Sequence, residues 1–242
     1  MGRAKNIIVK PIKGSKAREI VKHIHYSKKT VNNSCLHLGV FIDGKLEGAM
    51  QFGPPTDKRK LLPLVKGTLW NQMLELNRMA FSHVLPRNSE SRAIGIAFRL
   101  IKKYRPDIKW VVSFSDATQC GDGIIYRASG FVLTGIKKSI NLARLPDGSV
   151  IHKLTLHSSP LSPRKELNGK SLYDVTGGKY SFSLYCKAAN ATVLPGYQLR
   201  YIKFVDPEWV SRLQVPVISF KDIPNDAKMY KGKKCVNPIR GA

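Results

Sequence analysis

The stretch that decides the fold runs over residues 73–116: MLELNRMAF (73–81), SHVLPRNSES (82–91), RAIGIAFRLIKKYRPD (92–107) and IKWVVSFSD (108–116). The first piece alternates bulky apolar and polar residues and reads as a strand. The third repeats apolar residues at helical spacing until Pro106, which cannot continue a helix. The last is a nearly continuous apolar run suited to a buried parallel strand. Strand, helix and strand in that order make a crossover unit, and such units hold their sites at the strand carboxyl ends. Downstream, GDGIIYRASGF (121–131) reads as a short helix stopped by Gly130, and FVLTG (131–135) opens another strand.

Upstream, IIVKPI (7–12) reads as a strand and SKAREIVKHIHY (15–26) as a helix with Ser15 at its N-cap. CLHLGVFIDGKLEGAMQFG (35–53) predicts a hairpin turning at Asp43-Gly44. Pro54-Pro55 and the charged run DKRK (57–60) break that pattern, and KLLPLVKGTLWNQ (60–72) reads as a variable connection. Beyond residue 135, SINLARLPDGSVIHKLTL (139–156) predicts a second hairpin at Asp147-Gly148. SSPLSPRKELNGKSLYDVTGGKYS (158–181) reads as a surface excursion, and YQLRYIKFVDPEWVSRL (197–213) returns to strand and helix. The expected organisation is a core over 1–135, an irregular β-rich insertion over 136–195, and a C-terminal strand, helix and loose basic tail over 196–242 completing one domain.

The chain carries 41 Lys+Arg against 16 Asp+Glu, a net charge of +25. Hydrophobic content of 43% is that of a globular protein, so the charge rides on a folded chain. It points to a polyanionic partner, nucleic acid ahead of an anionic membrane surface. No run approaches the roughly 18 apolar residues of a membrane span, and MGRAKNIIVKPIKGSK lacks the apolar stretch of a secretory signal. Cys35, Cys120, Cys186 and Cys235 are widely spaced, without a zinc pattern, and read as reduced cytosolic thiols.

Several residues carry candidate chemistry. Arg92-Ala93-Ile94-Gly95-Ile96-Ala97 opens the central helix with small residues where backbone amides could approach a phosphate; close helix–sheet packing is the plainer use of Gly95 and Ala97. Asp116 ends a central strand and could bind a metal, act as base or cap the next helix. His25 and Tyr26 close the first helix, where packing or dipole compensation is the common role. Glu75 and Asn77 share one face of their strand and Arg78 points to the other; polar groups there imply a pocket, because unpartnered burial is costly. Ser91 and Ser115 could hydrogen-bond an intermediate. Trp70, Phe81 and Tyr104 are candidates for holding a base by position alone.

The R-x-x-G-x-A spacing over Arg92–Ala97, with Tyr126-Arg127-Ala128-Ser129-Gly130-Phe131 one strand later, resembles the acyl-donor elements of GNAT acyltransferases. HIHY, LHLGVFIDGKLEGAMQFGPP, ELNRMAF, NSESRAIGIAFRLIKK, SFSD, IIYRASGF and LRYIKFVDP together resemble the phage Mom family over residues 20–220, the match being poor near 135–195. The resemblance implies a GNAT-like α/β fold, a mixed central sheet flanked by helices, with a β-rich C-terminal insertion. It implies a phage enzyme that converts adenine in duplex DNA to carbamoylmethyl-adenine, shielding the genome from restriction in the cytoplasm of the infected host. It also implies an iron site on Tyr26 and Asp116, with His25 beside them.

On this basis Asp116, His25, Tyr26, Glu75, Arg78 and Ser115 are the expected catalytic group. Arg92, Gly95, Ala97, Ser91 and Tyr126 are expected to hold an acyl or glycyl donor, either acyl-CoA or glycyl-tRNA. Double-stranded DNA is the expected partner, with transfer RNA as a second polyanion, no membrane, and a homodimer left open as the oligomer. The base would leave its stack to react. Two competing readings are an N-acetyltransferase acting on a protein or RNA amine, and a DNA-binding or packaging protein without catalysis.

Overall fold

The first hairpin forms where its turn residues require it. Asp43 and Gly44 both take positive φ, 51° and 77°, the pair of left-handed residues that a two-residue turn needs. They join β2 (Leu36–Ile42) to β3 (Lys45–Gly53) with Ile42 opposite Lys45. The computed structural model describes residues 2–118, 121–224 and 227. The basic tail over 228–242, with Cys235, and also Cys120 lie outside the described residues; Cys35 and Cys186 are free thiols.

Before this hairpin come β1 (Ile8–Pro11), paired antiparallel with β2, and α1 (Gly14–Ile24). Ser15 does not cap α1: the helix starts at Gly14, and no side chain bonds to its first amides. A Cβ on Gly14 would come within 2.9 Å of His37 Nε2, so close approach to β2, rather than a capping hydroxyl, fixes that end. After β3 comes α2 (Lys58–Leu61), then β4 (Met73–Phe81), α3 (Ser89–Tyr104) and β5 (Trp110–Asp116). The expected crossover is present, with β4 and β5 parallel. The connection over 60–72 is part of the core: Leu61, Leu64 and Val65 pack with Met73, Trp110, Val112, Ile202 and Trp209.

Next come α4 (Ile124–Ala128) and β6 (Val132–Arg144). Gly130 ends α4 as expected, at φ 77°, with Gly130 N–H bonded to the Arg127 carbonyl and Phe131 N–H to the Tyr126 carbonyl, both at 3.0 Å. β7 (Val150–His152), α5 (Lys153–Ser158), α6 (Leu172–Thr176), α7 (Phe182–Ala188) and β8 (Thr192–Phe204) follow.

The described residues divide into two compact units, the second being Lys137–Gln198 and the first the remainder. The first unit is a mixed sheet in the order β1-β2-β3-β4-β5-β8-β6, in which β8 and β6 take part with the segments belonging to this unit. In the second unit, β6 and β7 form the expected hairpin, Leu142 opposite His152. The rest departs from the β-rich reading: three helices pack around Leu156, Leu167, Leu172, Tyr185 and Cys186. The segment HKLTL, expected as strand, begins α5, where His152 Nδ1 accepts the Leu154 N–H at 3.0 Å. α6 starts in a reciprocal cap between Ser171 and Asp174. Helices of five to seven residues are set by such caps and are too short to leave a periodic pattern.

Candidate functional site

The site is built by an irregularity in β4. Opposite β3, Arg78 pairs with Gln51 and Leu76 with Phe52, so Asn77 is an extra residue, a β-bulge. Glu75 pairs with Gly53, two residues from Gln51 and therefore on the same face. The bulge thus turns Arg78 onto the Glu75 face, correcting the expectation that strict alternation would send them apart. On the other edge of β4, pairing with β5 covers only Met73–Trp110, Leu74–Val111 and Glu75–Val112. Where that ladder stops, the buried Ser113 hydroxyl donates to the Leu76 carbonyl at 2.9 Å.

The chain leaving α1 covers this point. Arg78 Nε donates to the Lys29 carbonyl at 2.9 Å and Nη1 to the Asn77 carbonyl at 2.6 Å. Ser34 Oγ donates to Asn77 Oδ1 at 3.0 Å, while Asn77 Nδ2 and Gln51 Oε1 are buried without a hydrogen-bond partner among the described residues. Gly53 must be glycine here, because a Cβ would lie 2.1 Å from the Asn33 carbonyl oxygen.

Burial sets the protonation of the group. Glu75 is pushed up to about 7 by desolvation, with the Arg78 charge pulling the other way. His25 is pushed down to about 3 by desolvation and by the Arg78 guanidinium. Its ring is neutral at physiological pH. Ser27 N–H donates to His25 Nδ1 at 3.1 Å, and Ser27 Oγ lies 2.9 Å from the same nitrogen, which places the ring proton on Nε2. The Tyr26 ring lies beside it, centroids 4.3 Å apart. Burial lowers Arg78, and the neighbouring Tyr26, Glu75 and Tyr126 oppose that effect. His25, Tyr26, Glu75, Arg78 and Tyr126 therefore form one electrostatic cluster.

Other expected site residues have different surroundings. Ser115 is buried and donates to the Gly121 carbonyl at 2.7 Å, tying down the chain after β5. Asp116 Oδ1 accepts the Thr118 N–H at 2.9 Å and so closes a turn; it does not cap the next helix, α4, whose N-cap is Gly123. Among the described residues no three of His, Cys, Asp and Glu converge as a metal site. Arg78 also brings positive charge against His25. Of the ligands that the resemblance implied for iron, the structure sets the Tyr26 and His25 rings side by side.

A second feature lies at the start of α3, an open surface pocket of about 440 Å³. Lys5, Arg87, Arg92 and Arg99 supply its charge, and Ser91 and Gly95 line the helix side. The Arg92–Ala97 motif does not open the helix as expected: α3 starts at Ser89, so Gly95 sits in the second turn and contributes open wall. Ala97 is fully buried and serves packing, while Tyr126 packs against Tyr201 and Phe131 at 5.2 and 5.3 Å. Arg99 and Arg87 were missed, yet Arg92, Gly95 and Arg99 fall at i, i+3 and i+7 on one helical face, a legible signal. α4 bears on both features, Ala128 lining the pocket and Tyr126 facing the charge of Arg78.

A mixed sheet in which β4 and β5 run parallel across the α3 crossover, with a half-buried acid–base cluster on β4, defines an α/β protein. The chain belongs to the Mom protein family, whose model it matches over residues 6–222. It is 33% identical over 222 residues to the methylcarbamoylase mom of Escherichia phage Mu, covering 91% of this chain and 85% of that protein. Among solved structures, an N-acetyltransferase from Staphylococcus aureus aligns with a TM-score of 0.44 at 9% identity, over 83% of this chain and 99% of that one. An IAA acetyltransferase from Bacillus cereus gives 0.43 at 9% identity, over 82% and 99%.

Proposed function

We propose that this protein is a phage DNA-modifying transferase that converts adenine in duplex DNA to carbamoylmethyl-adenine. Family membership and the name methylcarbamoylase carried by the phage Mu relative support the group transferred. The observation that carries the chemistry is Glu75, a half-buried carboxyl pushed up to about 7 on the same face of β4 as the Arg78 guanidinium. A base poised there can take a proton from a weakly nucleophilic amine at neutral pH. Arg78 then faces the negative charge that develops on an attacked carbonyl, and Asn77 Nδ2 offers a buried donor. The four cations around the α3 pocket suit the phosphates of the donor, whether a CoA pyrophosphate or the end of a transfer RNA.

The chemistry balances with a glycyl donor. The adenine exocyclic nitrogen attacks the glycyl carbonyl, loses its proton to Glu75 and expels the donor's thiol or hydroxyl. The glycyl amino group then attacks the ring carbon bearing that nitrogen, through a five-membered spiro intermediate. The original carbon–nitrogen bond breaks, and the original nitrogen leaves the ring as the terminal carboxamide. The product is an isomer of the first amide. Modification in the host cytoplasm would protect the phage genome from restriction.

The test is the mass of nucleosides from DNA of cells expressing the chain. A carbamoylmethyl increment on adenine is expected; unmodified DNA combined with acetylation of a primary amine would instead make this an ordinary N-acetyltransferase. Heavy nitrogen placed on the exocyclic position should finish in the side-chain carboxamide. Retention on the ring would favour direct alkylation. Glycyl-CoA and glycyl-tRNA supplied separately to purified protein distinguish the donors.

A further inference from the structure

The segment that follows Val65 ends in an exposed apolar tip that neither the pocket nor the Glu75 cluster uses. Leu69 is 62% exposed and Trp70 58%, whereas the other two tryptophans, Trp110 and Trp209, are buried. The tip is rigidly held. Leu69 N–H donates to Gln72 Oε1 at 2.9 Å, and Gln72 N–H to the Leu69 carbonyl at 3.1 Å. Beneath it, Trp110 Nε1 donates to Thr68 Oγ1 at 3.0 Å, and Lys66 N–H donates to the Arg212 carbonyl at 2.8 Å.

The surroundings are cationic. Lys58 Nζ lies 4.6 Å from the Trp70 ring centroid and fixes one face of the indole. Arg59, Lys66 and Arg212 are exposed nearby in the chain or across its hydrogen bonds, while Lys60 is paired with Asp57 at 2.5 Å. Four residues separate Trp70 from Glu75, so their Cα atoms lie within about 18 Å of each other. A rigid apolar wedge framed by phosphate-binding cations, within reach of a base-modifying carboxyl, matches a base stack opened beside an extruded nucleotide.

We propose that Leu69 and Trp70 are inserted into duplex DNA, filling the gap left by the adenine presented to Glu75, with the exposed Arg59, Lys66 and Arg212 on the flanking phosphates. The inference rests on the duplex-adenine reading above and adds how the base is released. A protein partner would meet a tip whose surrounding charge is nearly all of one sign, whereas DNA answers both its apolar and its cationic parts.

Binding is measured by the fluorescence anisotropy of a dye-labelled short paired duplex and of the same duplex with a small central bubble, and the Trp emission of the wild type, in which Trp70 is the exposed reporter, is read alongside. The wild type should bind the bubble more tightly, because unstacking is already done, and its emission should be quenched. Trp70→Ala should weaken duplex binding roughly tenfold and remove the bubble preference, while Trp70→Phe should restore most of both. Arg59→Gln with Lys66→Gln should weaken both DNAs equally. Unchanged duplex affinity and bubble preference in Trp70→Ala would overturn the wedge, as would a loss confined to transfer RNA or to anionic phosphatidylglycerol vesicles. The nucleoside mass of DNA from expressing cells is read separately: wild type without modified adenine defeats the enzymatic reading, whatever Trp70 does.

Discussion

Glu75 and His25 are both displaced by burial, and in opposite senses for stability. Glu75 is raised from 4.5 to about 7, so the native state holds its proton longer than the unfolded chain. Its contribution is present below 4.5 and is lost as pH rises to 7. His25 is lowered from 6.5 to about 3, so its contribution is present above 6.5 and is lost as pH falls to 3. Between 4.5 and 6.5 the two slopes, each about 1.4 kcal/mol per pH unit, oppose one another. Glu75→Gln removes one of them. Relative to wild type, its unfolding free energy should fall by about that slope on acidification through this window, measured by denaturant titration at several pH values. The same variant should lose DNA modification while binding DNA normally, and wild-type activity should climb with pH to a plateau above about 7. Glu75 and Asn77 were legible in the sequence as polar residues on a central strand. The protonation state of Glu75 was not, because it depends on how much water the covering segment excludes.

Two elements carry the site, and both depart from ideal patterns. The bulge at Asn77 puts Glu75 and Arg78 on one face, and the segment over 27–34 holds Arg78 there through the Lys29 carbonyl. Gly53→Ala would drive a Cβ into the Asn33 carbonyl and shift that segment. A drop in modification of tenfold or more is expected, larger than a stability loss of about 1–3 kcal/mol would explain by unfolding. Ser113→Ala should cost about 1–2 kcal/mol in denaturant unfolding, since the Leu76 carbonyl loses its donor where the β5 ladder ends. In α3, a Cβ on Gly95 would meet only Arg99 Nη1, at 3.9 Å. Gly95→Ala should therefore stabilise the helix by about 0.5–1 kcal/mol while raising the KM for donor by narrowing the pocket. The helix itself was legible from its period and from Pro106. Its start was not: Asn88, in the left-handed region at φ 70°, sets it three residues before the motif.

At the scale of the whole molecule, a charge of +25 predicts binding to DNA that weakens steeply with salt. Replacing Arg59 and Lys66 with Gln should reduce the slope of log K against log salt by about 2, the signature of two lost phosphate contacts. Among the described residues no helix is long and apolar enough to cross a membrane. The sequence by itself determined the crossover at the centre of the sheet, the two Asp-Gly hairpins and the large net positive charge, because period, turn chemistry and charge are local or additive properties. Only the tertiary structure decided that Arg78 joins Glu75, that Ser115 serves a loop, that the second unit is built from short capped helices, and that Trp70 stands exposed. Each of these depends on which backbone lies across from a residue and how far water is excluded, and neither quantity is written in its neighbours along the chain.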